Sequence, residues 1–327
     1  MALTYRDIEP YAKLAPAEMA ERVRSLVRDR NAVILAHNYQ VPEVQDVADF
    51  VGDSLGLSRQ AAGTDADVIV FCGVHFMAET AAILSPQRTV LLPDLDAGCS
   101  LADTITADQL RAWKAEHPGA VVVSYVNSSA EVKAESDYCC TSGNAEAVIR
   151  SIPEDREILF CPDMFLGSYL EQKTGRKMHV WMGECHVHAG IEAADIGRMR
   201  VENPDSELLI HPECGCVTRT MYDLATGAVS PEGTHLLSTE GMVKRAKKSP
   251  AKQFVVATEV GILHRLRKEV PGKTFLPASP TAICGYMKKI TLPKVLWSLE
   301  NLEHKVTVPP DIAARAKLAI DRMVQIS

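Results

Sequence analysis

The chain passes through one pattern three times, and that internal repeat restricts its folds more than any other feature. Short β-branched or apolar runs recur, with helical stretches between them. The first set reads AVILAH (32–37), DFVGDS (49–54), DVIVFCG (67–73) and TVLLPD (89–94), then reaches Cys99. The second reads VVVSYVN (121–127), DYCCTS (137–142), EILFCPD (157–163) and HVWMGE (179–184), then Cys185. The third reads ELLIHPE (207–213), THLLST (234–239), QFVVATE (253–259) and KTFLPAS (273–279), then Cys284. His37 to Ser54 spans 17 residues, as does Tyr125 to Ser142; His37 to Cys99 spans 62 and Tyr125 to Cys185 spans 60. The third set runs 73 residues from His211 to Cys284, and its excess fits an insertion around GAVSPEG (227–233).

The runs are apolar throughout rather than alternating, which predicts strands buried on both faces in a parallel sheet covered by helices. Between them, residues 15–30 place Met19, Val23, Leu26 and Val27 on one helical face. TADQLRAWKAEHPG opens on a capping Thr106 and stops at Pro118–Gly119. The expected fold is α/β: three small αβα, Rossmann-like layers, each with a four-stranded parallel sheet. The expected boundaries are 1–103, 104–189 and 190–290, followed by a tail (291–327) of two amphipathic helices packing back on the domains.

Composition narrows the function. With 42 Asp and Glu against 35 Lys and Arg, the chain lacks the basic stripe of a general nucleic-acid binder. It has no run of eighteen apolar residues, so no segment is expected to span a bilayer, and its first residues lack an export signal. Nine cysteines in a chain this long point to a reducing compartment, the cytoplasm, and to thiols kept for chemistry. No Gly-rich phosphate loop occurs, so neither ATP nor a dinucleotide is expected as cofactor.

In an open parallel sheet, ligands gather beyond the carboxyl ends of the strands. Here the polar residues stand at those ends. First strands deliver His37, Asn38 and Tyr39; Tyr125, Asn127 and Ser128; and His211 and Glu213. Second strands deliver Asp53–Ser54, Thr141–Ser142 and Ser238–Thr239, each leading into a helix. Such hydroxyls either cap their helices or, with the positive end of the helix dipole, seat an anion. If the copies close around an axis, one cavity would suit a substrate with several carboxylates or a phosphate.

Cys72 and Cys161 read as small core hydrophobes. Cys139, Cys140, Cys214 and Cys216 are open between that reading and a metal or redox role. Cys99, Cys185 and Cys284 stand apart, each after the last strand of its copy and near glycine. Three such thiols around a shared centre would leave an open fourth position, for zinc or for a cubane; scattered structural cysteines are the alternative. His186 and His188 read as polar lining, His75 and His264 as packing or surface residues, and MVKRAKKS (242–249) as a solvated helix face.

The strings ILAHNYQ, DFVGDS, GCSLAD, SYVNSSAEVKAESD, CTSGNA, CHVH, HPEC, TEVGILHRL and MKKITLPKVLWSLE, in that order from about residue 33 to 300, resemble the quinolinate synthase family. The resemblance implies three domains related by a pseudo-threefold axis with a [4Fe–4S] cluster held by Cys99, Cys185 and Cys284. It implies condensation of iminoaspartate with dihydroxyacetone phosphate, giving quinolinate, phosphate and two waters. The family's substrate contacts fall on His37, Tyr39, Ser54, Tyr125, Asn127, Ser142, His211, Glu213 and Thr239. Tyr39, Tyr125 and Glu213 are the candidates for moving protons; His37, Ser54, Asn127, Ser142, His211 and Thr239 for holding substrate; and an aspartate oxidase or dehydrogenase is the expected source of iminoaspartate. Where some members carry a C-x-x-C-x-x-C run at the third ligand, this chain reads ASPTAIC and keeps Cys284 alone. Rival readings are an aconitase-like hydro-lyase, a non-catalytic iron–sulfur or zinc sensor, and a metal-free site.

Overall fold

The computed structural model describes residues 4–227 and 231–326, so residues 228–230 of the expected insertion lie outside the described residues. The chain builds three four-stranded sheets. The first holds β1 (Ala32–His37), β2 (Phe50–Gly52), β3 (Val68–Cys72) and β4 (Thr89–Leu91). The second holds β5 (Val121–Tyr125), β6 (Tyr138–Cys140), β7 (Ile158–Cys161) and β8 (His179–Val180). The third holds β9 (Glu207–Ile210), β10 (Thr234–Leu236), β11 (Gln253–Ala257) and β12 (Thr274–Pro277).

All ladders are parallel and share one order: β2-β1-β3-β4, β6-β5-β7-β8 and β10-β9-β11-β12. The repetition reaches single hydrogen bonds. Asp49 Oδ2 accepts the Ile34 N–H at 2.7 Å, and Asp137 Oδ2 accepts the Val122 N–H at 2.8 Å, fifteen residues apart in both copies. Each aspartate satisfies a strand donor left over near the start of its copy's first strand.

Burial follows the apolar runs. β3 and β5 are buried along their whole length, as are Ile158–Cys161. Two strands depart from expectation. β8 contains two residues; beyond Val180 its pairing with β7 is interrupted and resumes in the same register where Gly183 meets Asp163, and Met182 is exposed. β10 is half-buried along its length, as an edge strand should be.

The tail helices pack inward. Helix Leu292–Asn301 lies on helix Pro16–Asp29, and helix Pro310–Gln325 covers β6 and helix Ala130–Ala134. Its last turn is tied down by Asn144 Nδ2, which donates to Met323 O at 2.9 Å, and by Arg59, whose Nη2 donates to Val324 O at 3.0 Å. The basic 242–249 run turns Met242, Val243 and Ala246 inward, so its helix is amphipathic rather than wholly solvated.

Candidate active site

Beyond the carboxyl ends of the sheets, a pocket collects side chains from all three copies. His37 and Tyr39 reach it from β1, Tyr125 and Asn127 from β5, and His211 and Glu213 from β9. Ser54, Ser142 and Thr239 line it from the segments after β2, β6 and β10. Cys99, Cys185 and Cys284 complete the lining from beyond the fourth strands. Every thiol, proton-transfer and substrate candidate of the sequence thus faces one volume.

The capping residue is clear at two helices. Asp53 caps the helix Ser54–Gly63 by accepting from Gly56 N at 2.8 Å, and Ser238 caps Thr239–Lys248 by accepting from Gly241 N at 3.2 Å. The residue before each candidate therefore does the capping. Ser54 and Thr239 keep their hydroxyls for the pocket. The helix starts also converge: a Cβ on Gly143 would lie 3.5 Å from Ser238 Oγ and 3.7 Å from Asp53 Oδ2.

Thr239 is oriented from behind. Asn38 Nδ2 donates to Thr239 Oγ1 at 2.8 Å, and Asn38 Oδ1 accepts from Arg265 Nη1 at 2.8 Å. Arg265 is itself held by Glu240 Oε2 at 2.9 Å and Glu269 Oε1 at 2.5 Å. Having accepted from Asn38, the Thr239 hydroxyl has its proton free to donate into the pocket. Ser142 Oγ lies 3.1 Å from His211 Nε2, and Asn127 Oδ1 is a buried acceptor with no protein partner, aimed at whatever fills the space.

A buried acid–base group forms the centre. Glu213 Oε2 lies 3.3 Å from His188 Nδ1 and 3.2 Å from His211 Nδ1, whose rings stack with centroids 5.0 Å apart. Burial works to raise the Glu213 carboxyl, but His188 and His211 outweigh it, with Tyr125's hydroxyl adding a hydrogen bond, and hold it down to about 2. Burial pushes His37 down to about 3 and His188 down to about 4. Burial, then the charge of Glu213, raises both Tyr39 and Tyr125 well above the ordinary phenol value. At neutral pH the central group therefore presents Glu213 as a carboxylate acceptor, two phenol donors, and neutral imidazoles at His37 and His188. Tyr39 is fixed by Thr258 Oγ1 at 2.6 Å and His188 Nε2 at 3.3 Å.

The three thiols differ from the other six cysteines, which are all buried. Around each, backbone N–H groups two and three residues ahead point at the sulfur: Leu101 and Ala102 at Cys99, Val187 and His188 at Cys185, Tyr286 and Met287 at Cys284. The sulfurs also feel one another, since Cys284 raises Cys99 and Cys99 raises Cys185. Burial is the main cause holding all three up, Cys99 to about 12, so without a cation they stay thiols. Three partly buried thiols in one pocket, each with two amide donors, fit a group bound by thiolates. Cys139, Cys140, Cys214 and Cys216 lie outside that pocket lining, and Cys214 Sγ donates to Ala257 O at 3.2 Å, as a core thiol does.

Sequence reasoning passes over Thr258 and Glu259 and gives His188 too small a part. The signal is present: the third strand of the third copy leads straight into Thr258–Glu259, where the first copy has Gly73 and Val74. Glu259 is wholly buried; it accepts from Cys284 N at 3.0 Å and pairs with Lys288 Nζ at 2.8 Å, and Lys288 in turn donates to Tyr39 O. One carboxylate thus couples the third thiol to the backbone of a candidate proton donor.

Fold and site together define an α/β enzyme whose candidate active site lies between three repeated parallel sheets. A family model described as Quinolinate synthetase A protein matches residues 21–325. Curated quinolinate synthases are similar over nearly the whole chain. One from Thermus thermophilus is 57% identical over 94% of this chain and 97% of its own length. That of Pyrobaculum aerophilum is 55% identical over 94% of this chain and 100% of its own, and that of Mycobacterium sp. (strain KMS) 56% over 96% and 94%. The chain belongs to the quinolinate synthase family, whose product leads to NAD. Among solved structures, the E-1-hydroxy-2-methyl-but-2-enyl-4-diphosphate reductase of Plasmodium falciparum covers 88% of this chain and 94% of its own at TM-score 0.32 and 11% identity, too distant to carry an argument. No helix among the described residues is long and apolar enough to cross a membrane.

Proposed function

We propose that this chain condenses iminoaspartate with dihydroxyacetone phosphate to quinolinate, releasing phosphate and two waters, as a transferase of the iron–sulfur type. The observation that carries the reading is the meeting of three thiols, three hydroxyls and a carboxylate–histidine–tyrosine group in one pocket. Cys99, Cys185 and Cys284 would hold a [4Fe–4S] cluster, which when bound supplies a Lewis-acidic iron for a substrate oxygen.

The chain's own groups do the rest. Ser54, Ser142 and Thr239, with Asn127, His37 and His211, bind and orient the carboxylates and the phosphate. Holding two reactants together in this way supplies several kcal/mol, with about 7–11 kcal/mol as the upper range for ideal alignment. Glu213, charged at neutral pH, takes protons during tautomerisation and dehydration. Tyr39 and Tyr125, kept protonated, donate them as phosphate and water leave; each such group is worth about 10²–10⁴-fold. Iminoaspartate, short-lived in water, would come from an aspartate oxidase or dehydrogenase. The nine unpaired cysteines support a reducing, cytoplasmic setting.

Anaerobic purification with iron and sulfide analysis, followed by a quinolinate assay with both substrates, tests the proposal. About four irons and four sulfides per chain are expected, together with phosphate release dependent on iminoaspartate. Colourless protein with full activity would overturn the cluster assignment, and release of no phosphate would favour the hydro-lyase reading.

A further inference from the structure

The second copy carries another set of ligand-type side chains, at the opposite ends of its strands from the pocket. His117 stands just before β5, Glu157 immediately before β7, and His179 opens β8. None of the three lines the pocket. His117 Nδ1 and His179 Nε2 both approach the same oxygen, Glu157 Oε1, at 2.8 and 2.6 Å, and the two rings lie with centroids 4.2 Å apart. All three ligand atoms fall within 4.8 Å of one another. We propose that His117, Glu157 and His179 form a surface site for a divalent transition metal of the zinc class, which clamps β8 to the second sheet.

The backbone already holds the three residues in place. Glu157 O accepts from Val121 N at 2.8 Å, and His179 sits opposite Leu159 in the β7–β8 ladder. Trp113 presents its edge to His117 at 6.3 Å and packs on Trp181 at 5.5 Å, whose Nε1 donates to Thr104 O at 3.1 Å. Two imidazoles and one carboxylate are the donor set zinc takes in three-ligand sites, with water in the fourth position. Zinc–ligand bonds of about 2.0–2.1 Å put tetrahedral donors about 3.3 Å apart, so the pairs at 2.6 and 2.8 Å must open by about half an ångström. The side chains have that freedom, being 21%, 43% and 46% exposed for His117, Glu157 and His179.

A clamp here acts on a weak point. β8 has two residues, and the chain runs from it through 181–184 directly to Cys185. Fixing His179 to the sheet fixes the start of that short arm.

The test is equilibrium dialysis against Zn²⁺ of anaerobically purified protein, comparing the wild type with His117→Gln, His179→Gln and the double variant. All four carry the same nine cysteines, so thiol binding cancels in the difference. The wild type should hold about one more zinc per chain than the double variant, with affinity lower by about tenfold or more in each single variant. Ni²⁺ should also quench Trp113 fluorescence in the wild type and not in the double variant. Equal zinc uptake and equal quenching in all four proteins would overturn the proposal. If the double variant proves unstable in chelator, His179→Gln alone, changed at a half-exposed position, decides it by the same two readouts. Quinolinate formation need not be measured, so failure here leaves the reading of the pocket untouched.

Discussion

Asn38, from the first sheet, and Thr239, from the third, share a 2.8 Å hydrogen bond in which the amide donates and the hydroxyl accepts. The bond settles which way the hydroxyl proton points. Asn38→Leu should leave Thr239 free to turn, costing about 1.5–3 kcal/mol of interaction with an anionic group, or a rise of about ten- to a hundredfold in one substrate's KM. Arg265→Met should give a smaller change in the same direction, because it releases the Asn38 amide. Steady-state kinetics with each substrate varied in turn measures both.

Gly261 leaves no room behind Tyr39. A Cβ there would lie 2.7 Å from the Tyr39 carbonyl carbon, 2.8 Å from its Cα and 2.8 Å from Glu259 Oε2. Two of these atoms are backbone and cannot turn aside. Gly261→Ala should therefore displace the phenol and lower kcat by about tenfold or more, since misplacement by about 1 Å costs up to a hundredfold. Circular dichroism should stay that of the wild type.

Glu213→Gln removes the carboxylate between His188 and His211 while keeping the side chain's shape. Turnover should fall by about 10²–10⁴-fold, with binding changed less. Turnover within a factor of about two of the wild type would remove Glu213 from the proton-transfer role.

Stability should drop in mild acid. Burial holds His37 down to about 3 and His188 down to about 4, so both are neutral when folded, while in the unfolded chain they titrate near 6.5. The unfolded state binds more protons below that pH. Stability is full above about 6.5 and declines by about 1.4 kcal/mol per pH unit for each histidine as pH falls toward 4. Thermal melts between neutral pH and mild acid should show the decline, and His37→Gln should flatten it.

Cys284→Ala should abolish iron retention, whereas Cys72→Ala should keep it. Cys72 is a buried strand residue with no place in the pocket, so its loss costs packing alone, about 1 kcal/mol. Metal analysis of the two purified variants makes the comparison.

Much of this was legible in the sequence, for identifiable reasons. A strand buried on both faces must be written as an unbroken apolar run, so β1, β3, β5 and β7 announce themselves. A polar residue at the end of a strand or within a few residues of it has little to do in the core, which is why His37, Glu213 and Thr239 could be picked out. Less visible were groups whose work depends on a partner far along the chain. Arg265 lies 227 residues from Asn38, and nothing local distinguishes it from the helix's other cations. Glu259 reads as one more acid until the fold sets Cys284 and Lys288 against it. Which residue caps each helix was not legible, because Asp53 and Ser238 are as able to cap as the hydroxyls that follow them.

The chamber's walls come from three separate sheets, and Asp53, Gly143 and Ser238 meet across them. No single lobe holds it whole. A slight parting of the lobes would dismantle the reaction centre while every ladder stayed intact. Activity should therefore fade at milder urea concentrations than those that melt secondary structure, as in an oligomer that dissociates before its subunits unfold, though here a single polypeptide supplies all three parts.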